Sequence, residues 1–143
     1  MRQGLFYMAT VCLLATTVSA GGQGDPDEAK LNGTWVIVAS EQGGAKDDDL
    51  KGCKFTFGDG KLETDANGEK GKGKYALDSR AKPKILDLTL NVAGPITRLG
   101  VYSLTEDTLT IRLALGVDRP AKVEGSTEKD GSWLITLKRE AKN

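Results

Sequence analysis

The 143-residue chain contains no histidine. That removes the usual general base near neutral pH, the commonest zinc ligand and every histidine-based nucleophilic triad. It has two cysteines, and only Cys53 lies outside an N-terminal stretch read below as a leader. The folded domain therefore closes no intramolecular disulfide, and the lone thiol reads as a small buried hydrophobe. Aromatic residues are scarce, with three Phe, three Tyr and two Trp, so an apolar core has to be built mainly from aliphatic side chains. Twenty basic residues balance twenty acidic ones, which gives no electrostatic basis for binding nucleic acid or an anionic membrane surface. No apolar run reaches the ~20 residues that a membrane-spanning helix needs.

What is present begins with a leader. Arg2, the apolar run Leu5 to Ala15 and the small-residue end Val18-Ser19-Ala20 have the order of a secretory signal peptide. Residues 1–20 are expected to be removed and the product exported, to a periplasmic or extracellular space. Residues 21–30 read as a flexible linker followed by a short helical turn opened by Pro26 and Asp27. Residues 31–143 then form one domain, the size expected for a single core.

Within that domain the pattern is short apolar or alternating runs, without a window of ten residues at helical spacing. Strands are predicted at 35–40, 53–57, 61–64, 73–77, 85–90, 96–104, 108–115 and 133–139, with a weaker one at 121–125. Gly58-Asp59-Gly60, Asn67-Gly68, Glu106-Asp107 and Asp130-Gly131 punctuate them. Period-two alternation puts Phe55 with Phe57, Tyr75 with Leu77, Leu86 with Leu88 and Leu90, Leu109 with Ile111 and Leu113, and Trp133 with Ile135 and Leu137 on one face each. One apolar face per strand predicts an all-β fold, an antiparallel up-and-down barrel of about eight strands.

Candidate chemistry is thin. Asp47-Asp48-Asp49 lacks the spacing of a calcium loop and reads as a solvated loop. Asp87, Glu106 and Asp107 show no pairing of the kind that acid–base hydrolysis requires. Ser103 and Ser132 have no histidine to activate them. Gly71-Lys72-Gly73-Lys74 lacks phosphate-loop spacing and reads as a turn entering a strand. No metal ligand set and no cofactor motif is found, and the chain is read as a non-enzyme.

Two resemblances follow from particular residues. Gly33-Thr34-Trp35 at the start of the first strand, after a helical turn, resembles the lipocalin signature. That resemblance implies a Trp35 packed across the closed end of the barrel and covered by a basic residue of the last strand, here Arg139. The ordered set Leu31-x-Gly33-Thr34-Trp35, Leu50-Lys51-Gly52, Phe55-Thr56-Phe57, Gly73-Lys74-Tyr75, Lys82 to Leu88, Gly100-Val101-Tyr102, Asp107-Thr108-Leu109 and Leu137-Lys138-Arg139 resembles an uncharacterised lipocalin-like bacterial family expanded in planctomycetes. The chain departs from that pattern after Ile111. A barrel of this size implies binding of a small apolar or amphipathic ligand, for which Tyr75, Tyr102 and Arg98 are the expected contacts. The alternative is a barrel filled by its own side chains, acting in the envelope through an outer surface that meets a protein or polysaccharide. Neither reading specifies an oligomeric state.

Overall fold

The computed structural model describes residues 25–91 and 93–141; the predicted leader and Cys12 lie outside the described residues. A four-residue helix α1 (Glu28–Leu31) precedes strands β1 (Gly33–Gln42) and β2 (Ala45–Lys46) and a 3-10 turn (Asp48–Leu50). There follow β3 (Lys54–Gly58), β4 (Lys61–Ala66), β5 (Glu69–Asp78), β6 (Ile85–Asn91), β7 (Pro95–Arg98), β8 (Gly100–Leu104), β9 (Thr108–Leu113) and β10 (Trp133–Arg139). Eight of these pair in the order β1-β3-β4-β5-β6-β8-β9-β10, and β10 returns to β1. The result is the closed antiparallel barrel expected from the alternation. β2 extends the far end of β1 as a short flap, and β7 continues β8 in the same register along β6, from Asn91↔Pro95 to Ile85↔Val101.

The inward phase is the apolar one throughout. Trp35, Ile37, Phe55, Phe57, Leu62, Leu86, Leu88, Leu109, Ile111, Leu113, Ile135 and Leu137 form one buried cluster, a continuous core of the kind that supplies most of the stabilisation at ~25 cal/mol per Å² of apolar area. Two irregularities adjust this rule. On β1 the register with β10 shifts between Ile37 and Ala39, a β-bulge that reverses the inward phase beyond it. Val38 is left exposed and Ser40 is buried, where strict alternation from Trp35 would have buried Ala39. The second irregularity lies at Leu99, between β7 and β8. There Gly100 N–H donates to the Asp87 side chain at 3.0 Å rather than to a strand carbonyl. A Cβ on Gly100 would lie 2.5 Å from the Leu86 carbonyl oxygen, so only glycine permits this approach.

Because successive barrel strands alternate in direction, their connections fall into two groups. Residues 59–60, 79–84 and 105–107 lie at one end, here called the base, together with α1. Residues 43–53, 67–68 and 114–132 lie at the other, the mouth. The long 114–132 segment carries no strand, contrary to the weak prediction at 121–125 and to the extension of β9 to residue 115. Instead it folds against the outside of the barrel and is pinned twice. Arg112, on the outward phase of β9 and only 4% exposed, donates to the carbonyls of Glu124 (2.9 Å) and Ser126 (2.8 Å), to Ser132 Oγ (2.8 Å) and to Asp130 (2.9 Å). In the opposite direction Arg119, within the segment, reaches Asp87 on the outside of β6 and the Gly100 carbonyl. Val101, on the outward phase of β8 between these anchors, is fully buried.

Candidate functional site

At the mouth the core does not fill the barrel. On β5 the inward phase set by Tyr75 and Leu77 continues through Gly73 and Gly71, so between Tyr75 and the rim residue Glu69 this strand brings no side chain to the upper interior. An open cavity of about 180 Å³ results, with Ile37, Leu50, Cys53, Phe55, Leu90 and Trp133 as its apolar wall. Trp133 is held by its indole N–H, which donates to the buried Ser40 Oγ at 2.8 Å, so the bulge that buries Ser40 also orients this wall. Leu50 comes from the 3-10 turn, whose start is capped by the Asp47 side chain accepting from Asp49 N–H. Asp48 faces Lys51, so the Asp47-Asp48-Asp49 run serves the loop that carries Leu50.

Inside the cavity the hydrogen-bonding side chains are Thr64, on the inward phase of β4 opposite Phe55, and Cys53. Burial first, and the Asp65 charge second, raise the Cys53 thiol above its ordinary value, so it stays protonated near neutral pH and is a weak nucleophile. Of the other polar lining residues, Lys54, Asp65, Lys72 and Asn91 lie on the outward phase of their strands. Lys54 is ion-paired with Glu140, and Asp65 accepts from Gly68 N–H in the β4–β5 turn.

The base is sealed. Trp35 is fully buried and its indole N–H donates to the Leu31 carbonyl at 2.8 Å. The Arg139 guanidinium carbon lies 4.3 Å from the Trp35 ring centroid, and the same group donates to the carbonyls of Asn32 (3.0 Å), Glu106 (3.3 Å) and Lys30. Gly33, at φ 124°, turns the chain from α1 into β1. A Cβ there would lie 3.2 Å from Arg139 Nη1.

The sequence-predicted contacts are distributed differently from expectation. Tyr75 and Tyr102 both point inward, but toward the base rather than the mouth. Tyr102 Oη donates to Asp27 at 2.7 Å and Tyr75 Oη donates to Glu28. Burial followed by these carboxylate bonds pushes both phenols well above their ordinary values. Asp27 also accepts from Lys84 Nζ at 2.9 Å, and Asp25 from Ser79 N–H at 2.6 Å. Residues 25–30 are thus a docked plug rather than a loose linker. Arg98 joins neither tyrosine; its guanidinium donates to the Leu115 carbonyl at 3.0 Å. The cavity is therefore built from residues other than these three, and the glycines at 71 and 73 on an otherwise inward strand phase are the sequence signal that marked it.

Among the described residues no three His, Cys, Asp or Glu side chains are placed to hold a metal ion, and no helix is long and apolar enough to cross a membrane. No family model, no curated protein and no solved structure shows significant similarity to the chain.

Proposed function

We propose that this protein is an exported, non-enzymatic binding barrel that takes a small apolar or amphipathic molecule through its mouth. The observation that carries this reading is the apolar cavity at one end of a barrel whose other end is sealed by Trp35, Arg139 and the plug. A site of this kind gives affinity by removing apolar ligand surface from water, with polar groups at its edge for orientation. Export rests on the leader pattern of residues 1–20. Membership of the uncharacterised lipocalin-like family rests on the ordered motifs from Leu31 to Arg139.

Native mass spectrometry of protein purified without detergent tests the binding reading. A reproducible added mass that disappears on denaturation supports it. A bare mass, together with no change in tryptophan emission on titrating small apolar probes, overturns it, because Trp133 forms part of the wall.

A second reading has its own observation. Val117 is 89% exposed at the tip of a segment that Arg98, Arg112 and Arg119 hold in place, an arrangement suited to presenting an apolar side chain to an envelope partner. Val117→Asp would then abolish partner capture while leaving small-molecule binding intact.

A further inference from the structure

We infer that Asn67 is a site of spontaneous covalent modification: its side-chain amide is lost through a succinimide formed with Gly68, and Asp65 restrains that reaction while the β4–β5 hairpin is closed.

The reaction needs only two adjacent residues and water. The Gly68 backbone nitrogen attacks Asn67 Cγ, the Cγ–Nδ2 bond breaks, and ammonia leaves with the proton that the Gly68 nitrogen gives up. Water then opens the ring at either carbonyl. One opening gives aspartate on the original chain path, the other isoaspartate, with the chain rerouted through Cβ and Cγ.

The chain has two Asn-Gly pairs, and the structure treats them differently. Asn32-Gly33 is held on both sides. Asn32 N–H donates to the Glu28 carbonyl at 3.0 Å, the Asn32 carbonyl accepts from Arg139 at 3.0 Å, and Gly33 pairs with Phe57 in the β1–β3 ladder. Asn67-Gly68 is the exposed two-residue turn between Ala66 and Glu69, with φ at 56° and 96°, the positive values that a tight hairpin turn demands. A Cβ at Gly68 would meet nothing within 4 Å, so nothing obstructs attack from that side. What restrains the nitrogen is the 2.8 Å bond that Gly68 N–H donates to Asp65 Oδ1. The bond engages the proton that must leave, and the carboxylate charge raises the cost of the amide anion through which attack proceeds. A carboxylate is far too weak a base to remove an amide proton, so Asp65 holds the nitrogen and does not activate it.

The product changes the mouth, because Thr64, Asp65, Ala66, Gly71 and Lys72 of this hairpin line the cavity. Isoaspartate inserts one extra backbone atom into a turn that closes with two residues. Either product also adds a carboxylate between Asp65 and Glu69, and like charges so placed repel. Both effects loosen the Ala66↔Glu69 end of the hairpin.

The test is peptide mapping of the purified protein after ageing in mildly alkaline buffer, with trypsin releasing residues 31–46 and 62–70 as separate peptides. In the native protein the mass gain of an amide-to-acid conversion should accumulate on 62–70 several times faster than on 31–46, whereas in urea the two peptides should convert at similar rates. Asp65→Ala should speed conversion at Asn67 about three- to tenfold, the lower part of what a bond to a charged group is worth because the turn is exposed, and leave Asn32 unchanged. Asp65→Asn, which keeps an acceptor oxygen, should accelerate it less. Native Asn32 converting as fast as Asn67 overturns the site. An unchanged or slower Asn67 in Asp65→Ala overturns the restraint, and equal acceleration at both asparagines does the same, because loss of global stability would then set the rate.

Discussion

Replacing Arg112 with methionine tests whether one buried cation holds the 114–132 segment against the barrel. Methionine keeps an unbranched apolar stem on β9 and removes the guanidinium, along with four well-formed bonds of 2.8–2.9 Å to Ser132, Glu124, Ser126 and Asp130. Each bond to a charged donor contributes about 1.5–3 kcal/mol when measured singly, but the full sum does not apply. Asp130 is half exposed and regains water, and the freed carbonyls lie in a surface segment that can partly rehydrate. A loss of about 3 kcal/mol in urea unfolding is the expected outcome, near the lower end for removing one partner of a buried charged network. Lysine at the same position has three donors on one nitrogen and cannot span Ser132 and Ser126 together, so Arg112→Lys should recover only a minor part of the loss. Trypsin provides the local readout, because Lys122 and Lys129 lie in the segment; both should become rapidly cleaved in Arg112→Met while the barrel strands remain intact. A variant within 1 kcal/mol of the parent and still resistant at those two lysines would refute the role assigned to Arg112.

At the base, Arg139→Ala should cost about 1–2 kcal/mol, combining the lost stacking on Trp35 with the loss of its carbonyl bonds; thermal melting checks it, and a melting temperature equal to that of the parent counts against the stacking. Gly100→Ala places a Cβ 2.5 Å from the Leu86 carbonyl and should destabilise by about 2–3 kcal/mol, whereas Gly58→Ala, where nothing lies within 4 Å, should be nearly silent in the same assay. Burial tends to raise the Asp27 pKa, but the bonds from Lys84 and Tyr102 outweigh it and leave the folded value below the ordinary one. Its stabilising contribution is therefore complete above the unfolded value of ~3.9 and is lost as pH falls through the folded value. Asp27→Asn should be less stable than the parent at pH 7, and the gap should close as pH falls through the folded value; a gap that stays constant with pH would show that the charge is not what stabilises the plug.

The barrel was legible because period-two alternation is a local property, repeated on strand after strand, and each strand places its apolar phase on the same side. Trp35 and Arg139 were legible through a resemblance and lie stacked as it implies. What escaped depended on partners distant in sequence. Tyr75 and Tyr102 were expected as ligand contacts, since nothing local shows that Glu28 and Asp27, 47 and 75 residues away, meet their hydroxyls. Nothing local marks Arg112 as buried, because its phase on β9 is outward; a segment that returns to cover that face cannot be inferred from the strand itself. The bulge after Ile37 changed the face of Ser40, and no turn residue marks it. Gly71 and Gly73 were visible, but glycine beside lysine favoured a turn over a strand with an empty interior face.

The two ends of the barrel use different interactions, and that separation can be tested directly. Between Trp35 and Gln42 β1 spans roughly 23 Å at ~3.3 Å per residue. At its base the structure relies on aimed polar contacts: Arg139 to three carbonyls, Tyr102 and Lys84 to Asp27, and Tyr75 to Glu28. The mouth contributes an apolar wall with unfilled space. Truncating a base anchor should therefore lower stability without altering ligand affinity, while filling the mouth should abolish binding at little cost in stability. Cys53→Leu is the filling variant: it adds apolar volume where space exists, so its effect on unfolding should stay within about 1 kcal/mol, and added mass or probe binding should disappear. Combined with Arg139→Ala, the two stability changes should add to within about 0.5 kcal/mol, as expected for sites with no shared partner. A larger coupling would mean that the plug and the cavity wall respond to each other through the core, and the base could not then be treated as a fixed floor beneath the site.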